Sequence, residues 1–582
     1  MFMMLPTVWG EQPTLSLLLH MNGANAGTTF PDSTRLQHSI TAYGGAQTST
    51  TAFKFNGSSG YFNGTNAYLG IPASNAFIFG TGKFAVEAWV NPATIPSYFV
   101  DISGGGAGGL HTAGVKSDGT LWTWGLNDEG QLGLGDYASR AVPTQVGTAT
   151  NWRSVSCGRY HTLATKTDGT LWAWGFNTDY QVGNGGIADV LTPLQIGTAT
   201  DWNKVAAGGY HSLAIKNNGT LWSWGWNEDG QLGRTPSPAT TTPTQVGTAT
   251  DWLDIAGGRY HTIVRKTNGT IYSAGYNGYG ELGQGDTTPR STFTQIGTGT
   301  YDSIGSGQLH CIAVRSDGTL WTWGYNAYLQ IGNPALPTTT NQPSPYQVGT
   351  RTDWKKAIAG GYFNMVIDDE DYMWTFGDNG NQAGTTASGQ LGTGSSALYT
   401  ATPTKVGTNA QWSVLSAGRL HAVGVKSDGS LWTWGDSEFY QLGNGSTTDR
   451  FVPTRVFATD DRLIFGQLTT APNFALFLSN KSNALSLYRT DGNIVATNPV
   501  NINVWSHVAA TRDEIGTLRL FINGNLERVE LNHNVDYNAS TPFYVGGLPT
   551  AGSYFSGYMA ELRVHKGKTV YRENFTPPPA PF

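Results

Sequence analysis

A seven-fold internal repeat constrains the fold of this 582-residue chain more than any other feature of its sequence. Residues 158–183 read GRYHTLATKTDGTLWAWGFNTDYQVG, and residues 208–233 read GGYHSLAIKNNGTLWSWGWNEDGQLG. The copies recur with a period of about 50 residues, which is typical of propellers and solenoids built from one supersecondary unit. The seven copies begin at Gly108, Gly158, Gly208, Gly258, Gly307, Gly360 and Gly418.

Each copy has the pattern of a four-stranded antiparallel sheet. The segments HTLATK and TLWAWG flank an Asp-Gly or Asn-Gly pair, the dipeptide of a tight hairpin turn. A PTQVGT segment and a DW-x-x-[VI] segment supply two further strands. Apolar residues occupy both faces of the return strand at residues 171–174, which predicts a sheet covered on both sides. Seven such sheets predict an all-β fold with a seven-bladed β-propeller.

The repeat motifs also carry a family resemblance. The combination of G-x-x-H, DGTLW-x-WG and N-x-x-G-Q-L-G resembles the regulator-of-chromosome-condensation family of seven-bladed propellers over residues 97–459. Phe363 replaces a histidine of the pattern, and Tyr272 and Ala274 replace two tryptophans; we expect tolerated core substitutions. Nucleotide exchange on a small GTPase, the best-known role of that family, is not expected here, because a fold alone does not imply a function.

The flanking segments lack the 50-residue period. Alternating strands and Asn-Gly hairpin signals in residues 12–96 and 460–582 predict two parts of another β domain. The elements F-x-[VI]-E-x-W-V in residues 84–90 and W-x-H-V-A-x-T-R in residues 505–512 resemble laminin-G-like, concanavalin-type jelly rolls. The propeller is therefore predicted to be inserted into a loop of this β-sandwich, near Tyr98 and Arg462. Residues 1–11 are predicted to dock onto a neighbouring subunit.

Composition and charge exclude several classes of protein. A net charge of −6 and a pI near 6.0 disfavour nucleic acid as a partner. Insertion into a membrane is not expected, because no run of 18 apolar residues occurs. With only Cys157 and Cys311, a disulfide scaffold is excluded and free buried thiols are predicted. The first residues lack the basic region and cleavage site of a signal peptide, so we expect release by cell lysis.

The histidines of the G-x-x-H motif are the first candidates for a metal site. A metal ion needs ligands that converge within about 2.1 Å, whereas one histidine per blade is spread around a ring. We therefore interpret them as structural residues that bond to backbone within their own blades. They are His111, His161, His211, His261, His310 and His421.

An acidic run at the hairpin of the sixth copy is the second candidate. Carboxylates are ligands that calcium prefers, but the spacing of this run matches no calcium motif. A solvated acidic turn is the favoured interpretation, and calcium is the one cofactor that the sequence leaves open. The run consists of Asp368, Asp369, Glu370 and Asp371.

Loops that place aromatic rings beside amides are the third candidate. Flat rings next to hydrogen-bonding side chains suit sugar recognition, and equally a protein interface or packing between blades. Enlarged loops at residues 334–346 and 379–388 indicate a binding face, since long loops on one face of a repeat fold often bind ligands. The candidate binding residues are Trp226, Asn227, Tyr276, Tyr279, Tyr325, Tyr328, Phe439 and Tyr440.

Catalysis is not expected from this sequence. Sandwiches of this type include glycosidases, which use a pair of carboxylates across a cleft. Glu87 in FAVEAWV has no second acid at E-x-D-x-x-E spacing, and no G-x-S-x-G or H-E-x-x-H motif occurs. The chain is therefore predicted to be non-enzymatic.

The C-terminal pattern of residues 557–579 resembles laminin-G-like domains of bacteriophage tail and structural proteins. This resemblance implies a virion protein that is made in the host cytoplasm and displayed on the particle exterior, among other virion proteins. There it would bind a host-surface glycan or protein as a tail-fibre or tip adhesin. Two alternatives stay open: a capsid or tail decoration protein that uses the propeller as a docking platform, and a bacterial surface adhesin. Homo-oligomerisation also stays open.

Overall fold

The computed structural model describes residues 14–21, 23–34, 36–55, 57–64, 66–79, 81–93, 97–381, 385–408, 412–427, 429–456, 462–466, 474–479, 483–487, 494–531, 542–548 and 553–577. The predicted docking segment, residues 1–11, lies outside these ranges. The chain divides into two compact units, Tyr98–Val456 and the combination of Met1–Ser97 with Phe457–Phe582. In the described residues no helix is long and apolar enough to cross a membrane.

The first part of the flanking unit holds six strands and a short 3-10 helix, Asn75–Phe77. The strands are β1 (Thr14–Leu19), β2 (Thr41–Tyr43), β3 (Gln47–Ser49), β4 (Ser59–Asn63), β5 (Tyr68–Ile71) and β6 (Phe84–Pro92).

The next twenty-eight strands form the seven blades, four consecutive strands to each. Blades 1 to 4 consist of β7 (Phe99–Ser103), β8 (His111–Lys116), β9 (Leu121–Gly125), β10 (Arg140–Gln145); β11 (Trp152–Cys157), β12 (His161–Lys166), β13 (Leu171–Gly175), β14 (Val190–Gln195); β15 (Trp202–Ala207), β16 (His211–Lys216), β17 (Leu221–Asn227), β18 (Ser237–Gln245); and β19 (Trp252–Gly257), β20 (His261–Lys266), β21 (Ile271–Gly275), β22 (Arg290–Gln295). Blades 5 to 7 consist of β23 (Tyr301–Ser306), β24 (His310–Arg315), β25 (Leu320–Gly324), β26 (Gln342–Gln347); β27 (Trp354–Ala359), β28 (Phe363–Asp368), β29 (Met373–Asp378), β30 (Tyr399–Lys405); and β31 (Trp412–Ala417), β32 (His421–Lys426), β33 (Leu431–Gly435), β34 (Arg450–Val456).

The second part of the flanking unit holds the remaining strands. They are β35 (Arg462–Gly466), β36 (Ala475–Leu478), β37 (Ala484–Leu487), β38 (Ile494–Pro499), β39 (Ser506–Arg512), β40 (Leu518–Ile522), β41 (Asn525–Glu530), β42 (Phe543–Val545), β43 (Gly547–Leu548), β44 (Ser553–Tyr554) and β45 (Ser556–Lys566).

The flanking unit is a β-sandwich assembled from both ends of the chain. One sheet has the order β3-β4-β45-β6-β39-β40-β41, with β1 paired to β45. The other has the order β2-β5-β42-β35-β36-β37-β38. Alternate residues of β6, such as Phe84 and Val86, enter a core shared with Leu476 and Leu485 of the second sheet. The two sheets thus pack face to face around one core, and the central strands β6 and β39 are buried on both faces.

The propeller closes by contact between its innermost strands. Each inner strand packs against the inner strand of the next blade, and β31 of the last blade packs against β7 of the first. The first and last blades share no strand, since each is built from four consecutive strands. Packing and hydrogen bonds between whole blades therefore close the ring.

Apolar residues of each return strand face both neighbouring blades. Trp174 enters the cluster shared with the preceding blade, while Leu171 and Ala173 enter the cluster shared with the next. This arrangement confirms the predicted all-β propeller. Trp172 departs from the expectation of a covered strand: it is half-exposed, with Lys166 Nζ 3.9 Å from its ring centre.

Each repeated histidine donates a hydrogen bond to the following blade. His111 Nε2 lies 2.9 Å from Thr162 Oγ1, and His161 Nε2 lies 2.9 Å from Ser212 Oγ. The Thr162 hydroxyl in turn donates to the carbonyl of Gln131 at 2.9 Å, so the imidazole must be the donor. The expected bond to backbone within the same blade is therefore wrong, because the acceptor is a side chain of the next blade. The equivalent bonds join His211 to Thr262, His261 to Ser306 and Cys311, His310 to Asn364, and His421 to Thr112.

The glycine of G-x-x-H makes room for the imidazole. A Cβ atom on Gly158 would lie 2.6 Å from His161 Cε1, and one on Gly208 would lie 2.3 Å from His211 Cε1. Both histidines are fully buried, and in the described structure their Nδ1 atoms have no hydrogen-bond partner. Burial lowers the pKa of each to about 3, so the imidazoles are neutral at pH 7.

The sixth blade replaces the polar pair with an apolar one. Phe363 takes the histidine position, and the residue after the next blade's histidine is Ala422, where other blades carry a hydroxyl, thiol or amide. Both side chains are buried in one hydrophobic cluster. Because donor and acceptor are replaced together, no buried polar group is left unpaired at this position.

We expect the two sixth-blade replacements to be energetically coupled. Phe363→His should destabilise the protein by about 1–3 kcal/mol, because the new imidazole N–H would be buried without an acceptor. Adding Ala422→Thr should recover about 1 kcal/mol by restoring the acceptor. Urea unfolding followed by tryptophan fluorescence measures this, since 17 of the 20 tryptophans lie in Tyr98–Val456, all but Trp9, Trp89 and Trp505. Strictly additive effects would show that the pair does not interact.

Acid should destabilise the propeller through these histidines. Burial lowers the pKa of His161 from 6.5 to about 3. Between these two pH values the imidazole is protonated in the unfolded chain and neutral in the folded blade. Stability is therefore lost as pH falls through this window. The double variant His161→Phe/Ser212→Ala, patterned on the sixth blade, should lose less stability between pH 7 and pH 4 than the natural protein. An identical loss in both would refute this assignment.

Candidate ligand-binding face of the propeller

Two sets of loops lie on one face of the propeller, which we call the loop face. They are the turns between the first and second strands of each blade and the longer loops between the third and fourth. His161 pairs with Gly175 at this end of blade 2, whereas Thr165 pairs with Leu171 at the other end, where the Asp-Gly hairpin lies. We call that opposite end the hairpin face. The first strand of the propeller begins and its last strand ends at the hairpin face.

Half-exposed aromatic rings form a continuous arc on the loop face, from blade 2 to blade 6. Tyr210 stacks on Tyr260 with ring centres 5.7 Å apart and planes 13° apart, and Trp226 meets Tyr260 edge-on at 5.1 Å. Between blades 4 and 5, the ring centres of Tyr279 and Tyr325 are 4.9 Å apart. We define the aromatic arc as Phe176, Tyr160, Tyr210, Trp226, Tyr260, Tyr276, Tyr279, Tyr325, Tyr328, Tyr362 and Tyr399.

Part of the arc borders an open pocket of about 310 Å³, at the lower end of the size range of small-molecule sites. Its walls are mainly aromatic, and two charged side chains of opposite sign also face it. The lining residues are Trp226, Asp229, Arg259, Tyr260, Tyr276, Tyr279 and Leu309. An adjoining pocket of about 230 Å³ shares Trp226 and Tyr260 and is also lined by Asp179 and Tyr210. Two neighbouring compartments are therefore separated by the same two rings.

The structure brings five of the predicted binding residues into the arc. Trp226, Tyr276 and Tyr279 line the larger pocket, and Tyr325 and Tyr328 continue the arc beyond it. Sequence reasoning missed the tyrosines of the first turns, including Tyr210 and Tyr260. The sequence did contain a signal for these tyrosines, because a tyrosine precedes the histidine of the G-x-x-H motif in three consecutive copies.

The amide partner of the predicted pairs has a structural role instead. Asn227 is fully buried; its Nδ2 donates to the carbonyl of Thr235 at 2.9 Å, and its Oδ1 accepts from the amide of Leu232 at 3.0 Å. It holds its own loop together and does not reach the surface, so the proposed ring-and-amide recognition is wrong for the amide. Phe439 and Tyr440 are half-exposed in the corresponding loop of blade 7.

Acidic residues surround the aromatic arc. Burial raises the pKa of Asp179 and Asp229, and the negative charge of Glu228 between them adds to the effect. Glu281 and Asp378 are buried under the same loops, and burial raises the pKa of Glu281 to about 8 and that of Asp378 to about 7. The loop face thus combines rings with the carboxyl groups of Asp179 and Asp229, which line its pockets, whereas Glu281 and Asp378 are buried.

The acidic run of blade 6 lies on the hairpin face, and two of its four carboxylates pair with neighbouring cations. Asp368 is buried and accepts from Trp374 Nε1 at 2.8 Å and from Arg351 Nη2 at 3.1 Å. Asp371 pairs with Lys355 at 2.7 Å, while Asp369 and Glu370 are exposed. Among the residues that the structure describes, no group of three or more His, Cys, Asp or Glu is placed to hold a metal ion.

The carboxylate of Glu87 in the sandwich is buried and hydrogen-bonded to three other side chains of the same unit. Its carboxylate accepts from Arg563 Nη2 at 2.5 Å, from the Tyr571 hydroxyl at 2.6 Å and from His507 Nε2 at 3.0 Å. Burial acts to raise the pKa of Glu87, but the hydrogen bond from His507 and the charge of Arg563 hold it below its usual range. These contacts leave Glu87 ionised and enclosed.

Both cysteines are free and buried, as predicted. Cys157 Sγ donates to the carbonyl of Ser103 at 3.3 Å, and burial raises the pKa of this thiol to about 12. Cys311 lies beside His261 in the ring of inter-blade bonds. Both thiols thus belong to the packing of the blades.

Comparison with known proteins identifies both units. Residues 64–413 match the RCC1-like domain, and residues 427–569 match the concanavalin A-like lectin/glucanases superfamily. Together with the fold, these matches define a β-propeller of RCC1-type blades combined with a laminin-G-like sandwich. The chain belongs to the RCC1-like domain family, whose match spans more than half of its length.

Individual relatives match part of the chain. The structure of human WBSCR16 is 23% identical, covering 58% of this chain and 93% of that one, with a TM-score of 0.52. The structure of Kap60 bound to yeast RCC1 (Prp20) gives 20% identity, coverage of 65% and 88%, and a TM-score of 0.52. The ultraviolet-B receptor UVR8 of Arabidopsis thaliana is 47% identical over 55 residues, 9% of this chain and 12% of the receptor. The match thus spans about an eighth of that curated relative.

Proposed function

We propose that the protein is a non-enzymatic carbohydrate-binding protein and that the aromatic arc of the loop face holds the sugar. The pocket of about 310 Å³ carries the proposal, because it combines half-exposed rings with charged hydrogen-bonding groups. Sugars present C–H faces that pack against rings such as Trp226 and hydroxyls that bond to groups such as Asp229. Small-molecule sites generally combine an apolar lining with a few polar groups in this way.

The adjoining pocket extends the proposed site to more than one sugar unit. It shares Trp226 and Tyr260 with the larger pocket and adds Asp179 and Tyr210. Rings lying between two compartments can pack against consecutive units of a chain. We therefore propose an oligosaccharide, rather than a monosaccharide, as the ligand.

We further propose that this site serves an adhesin on the exterior of a bacteriophage particle, where it binds a host-surface glycan. The support is the resemblance of residues 557–579 to phage structural proteins. The enclosed carboxylate of Glu87 supports a binding role without catalysis, because its oxygens already accept from Arg563, Tyr571 and His507.

Protein docking is the second candidate function. The observation that favours it is the extent of the arc, which crosses five blades and is broader than a single sugar pocket. Aromatic residues are also enriched in protein interfaces. Related propellers have protein partners: yeast RCC1 (Prp20) is bound by Kap60, and Prp20p of Saccharomyces cerevisiae binds Gsp1p and histones. In this alternative the propeller would be a docking platform of a decoration protein.

Removing a pocket ring should abolish most sugar affinity. The full-length protein would first be screened on an array of bacterial surface oligosaccharides. For the ligands it binds, Trp226→Ala and Tyr279→Ala should each weaken the Kd by about tenfold or more, which corresponds to about 1.4 kcal/mol. Trp222→Ala is the matched control, because Trp222 is a half-exposed tryptophan of the same blade at the hairpin end.

The control separates loss of the site from loss of the fold. Trp222→Ala should leave the Kd unchanged, and all three variants should unfold in one cooperative transition. The assignment would be contradicted if the pocket variants and the control lost the same amount of affinity, or if the Kd did not change in Trp226→Ala. Saturable, Trp226-dependent binding to host cells that survives enzymatic removal of their surface glycans would favour protein docking.

A further inference from the structure

Backbone hydrogen bonds link the first turns of successive blades at the loop face, from blade 3 round to blade 1. The amide of Arg259 donates to the carbonyl of Gln308 at 3.1 Å, and the amide of Gln308 donates to Gly361 at 3.0 Å. The amide of Arg419 donates to Gly109 of the first blade at 2.9 Å. Residues at the same place in each turn are therefore brought round the propeller axis, although they lie far apart in sequence. The Gly105–Gly108 segment of the first blade lies there too: a Cβ atom on Gly108 would lie 3.6 Å from both Arg159 Cδ and Gln308 Cδ. We call the surface formed by Arg159, Arg259, Gln308 and Arg419 the mouth.

The residues at the mouth carry an excess of hydrogen-bond donors. The second residue of the G-x-x-H motif is arginine in three turns and glutamine in one. These residues are Arg159, Arg259, Arg419 and Gln308. All three arginines are half-exposed, and within the described ranges none forms an ion pair with a carboxylate. Burial and the like charges of Arg159 and Arg259 lower the pKa of Arg419, in keeping with their closeness.

The arginine side chains are held by the arc. The guanidinium of Arg159 lies 4.8 Å from the ring centre of Tyr160, and its Nη1 donates to the Tyr210 hydroxyl at 2.6 Å. The guanidinium of Arg259 lies 4.8 Å from the ring centre of Tyr260. Cation–π contact orients these groups without neutralising their charge, which leaves them available to an anion.

Unsatisfied donors point to a missing partner at the mouth. Gln308 is only 3% exposed, yet its Nε2 has no hydrogen-bond partner in the described structure. The Nε atoms of Arg259 and Arg419 are likewise buried without partners there, as are single donors elsewhere in the propeller, such as Arg265 Nε and Gln231 Nε2. Burying an unpaired donor costs about 1–3 kcal/mol, and at the mouth three such donors, from Gln308, Arg259 and Arg419, occur in the first turns of blades 5, 4 and 7. A bound group rich in acceptor oxygens would satisfy them.

We propose that the mouth binds the anionic group of an acidic sugar, a carboxylate or a sulfate ester, and so selects acidic over neutral glycans. The inference rests on the proposed sugar-binding function and names its ligand class. Arg259 joins the two sites, because it belongs to the mouth and also lines the pocket with Trp226 and Tyr260. A sugar packed on those rings can therefore present its acid group to the mouth. Guanidinium groups suit this task, since they bind carboxylate and sulfate oxygens through paired hydrogen bonds.

Matched probes test the charge of the ligand separately from its sugar skeleton. Tetragalacturonic acid would be compared with its methyl ester, and a sulfated galactan oligosaccharide with its desulfated form, by calorimetric titration. We expect the natural protein to bind the acidic member at least about tenfold more tightly. The pair with the larger difference in affinity between its acidic and neutral members identifies the anion as carboxylate or sulfate. Raising the salt concentration should weaken the acidic member more than the neutral one.

Arginine variants test the mouth directly. Arg159→Gln and Arg419→Gln should each reduce the acid-to-neutral affinity ratio about fivefold or more, and Arg419→Lys should retain part of it because the charge remains. Neither arginine lines the larger pocket. Lys355→Gln on the hairpin face is the control that removes a cation elsewhere, and it should leave the ratio unchanged.

The outcomes distinguish this inference from the proposed function. If acidic and neutral members bind equally and the arginine variants change nothing, the anion site is wrong while sugar binding stands. If an oligoglutamate peptide binds through Arg159 and Arg419 while no saccharide binds, acidic peptide is the ligand class and sugar binding is wrong. If no probe binds, both are overturned.

Discussion

The packing of each blade against the next is the interaction on which the rest of the propeller depends, and at six of the seven junctions it includes a hydrogen bond from the repeated histidine. The first and last blades share no strand, so the ring closes only through contacts between whole blades. At the closing junction, His421 lies 2.9 Å from Thr112 Oγ1, and Trp124 Nε1 donates to the carbonyl of Gln441 at 3.0 Å. The same bonds recur at most other junctions, which makes the closing junction equivalent to the rest.

This contact also positions the groups that we assign to ligand binding. The turn that carries Arg259 and Tyr260 ends at His261, whose imidazole is fixed by Ser306 and Cys311 of the next blade. Residues that build the ring repeat from copy to copy, whereas residues that we assign to ligand binding, such as Trp226 and Arg259, occur in only some of the copies. The loops also hold non-glycine residues in the left-handed region, Tyr180, Leu329 and Tyr440, with φ near 61°, 60° and 62°. Such a residue costs about 1–3 kcal/mol, and other blades carry glycine there, as at Gly230.

Local patterns in the sequence predicted most of the architecture. The Asp-Gly pairs, the alternation of the return strands and the 50-residue period each depend on neighbouring residues, so the blades and their number could be predicted. The structural role of the histidines could also be predicted, but not their acceptors. His161 and Ser212 come from consecutive copies, and their meeting depends on how blades pack.

The candidate site was only partly predictable for the same reason. Rings such as Trp226 and Tyr279 stand out in single loops, so sequence reasoning found them. Arg159 and Arg419 are 260 residues apart in sequence, and their charges interact only because the ring closes. The burial of Asn227 could not be predicted either. The sequence Trp-Asn is the same whether the asparagine faces a ligand or forms hydrogen bonds within its own loop. The three arginines at one motif position were the signal that could have indicated the mouth.

The most direct test of this account is a crystal structure of the full-length protein with the acidic oligosaccharide that binds it most tightly. The account predicts a sugar ring packed on Trp226 and Tyr260, with its acid group within hydrogen-bond distance of Arg259 and facing Gln308. A ligand bound at the hairpin face or on the sandwich, with the loop face empty, would contradict it.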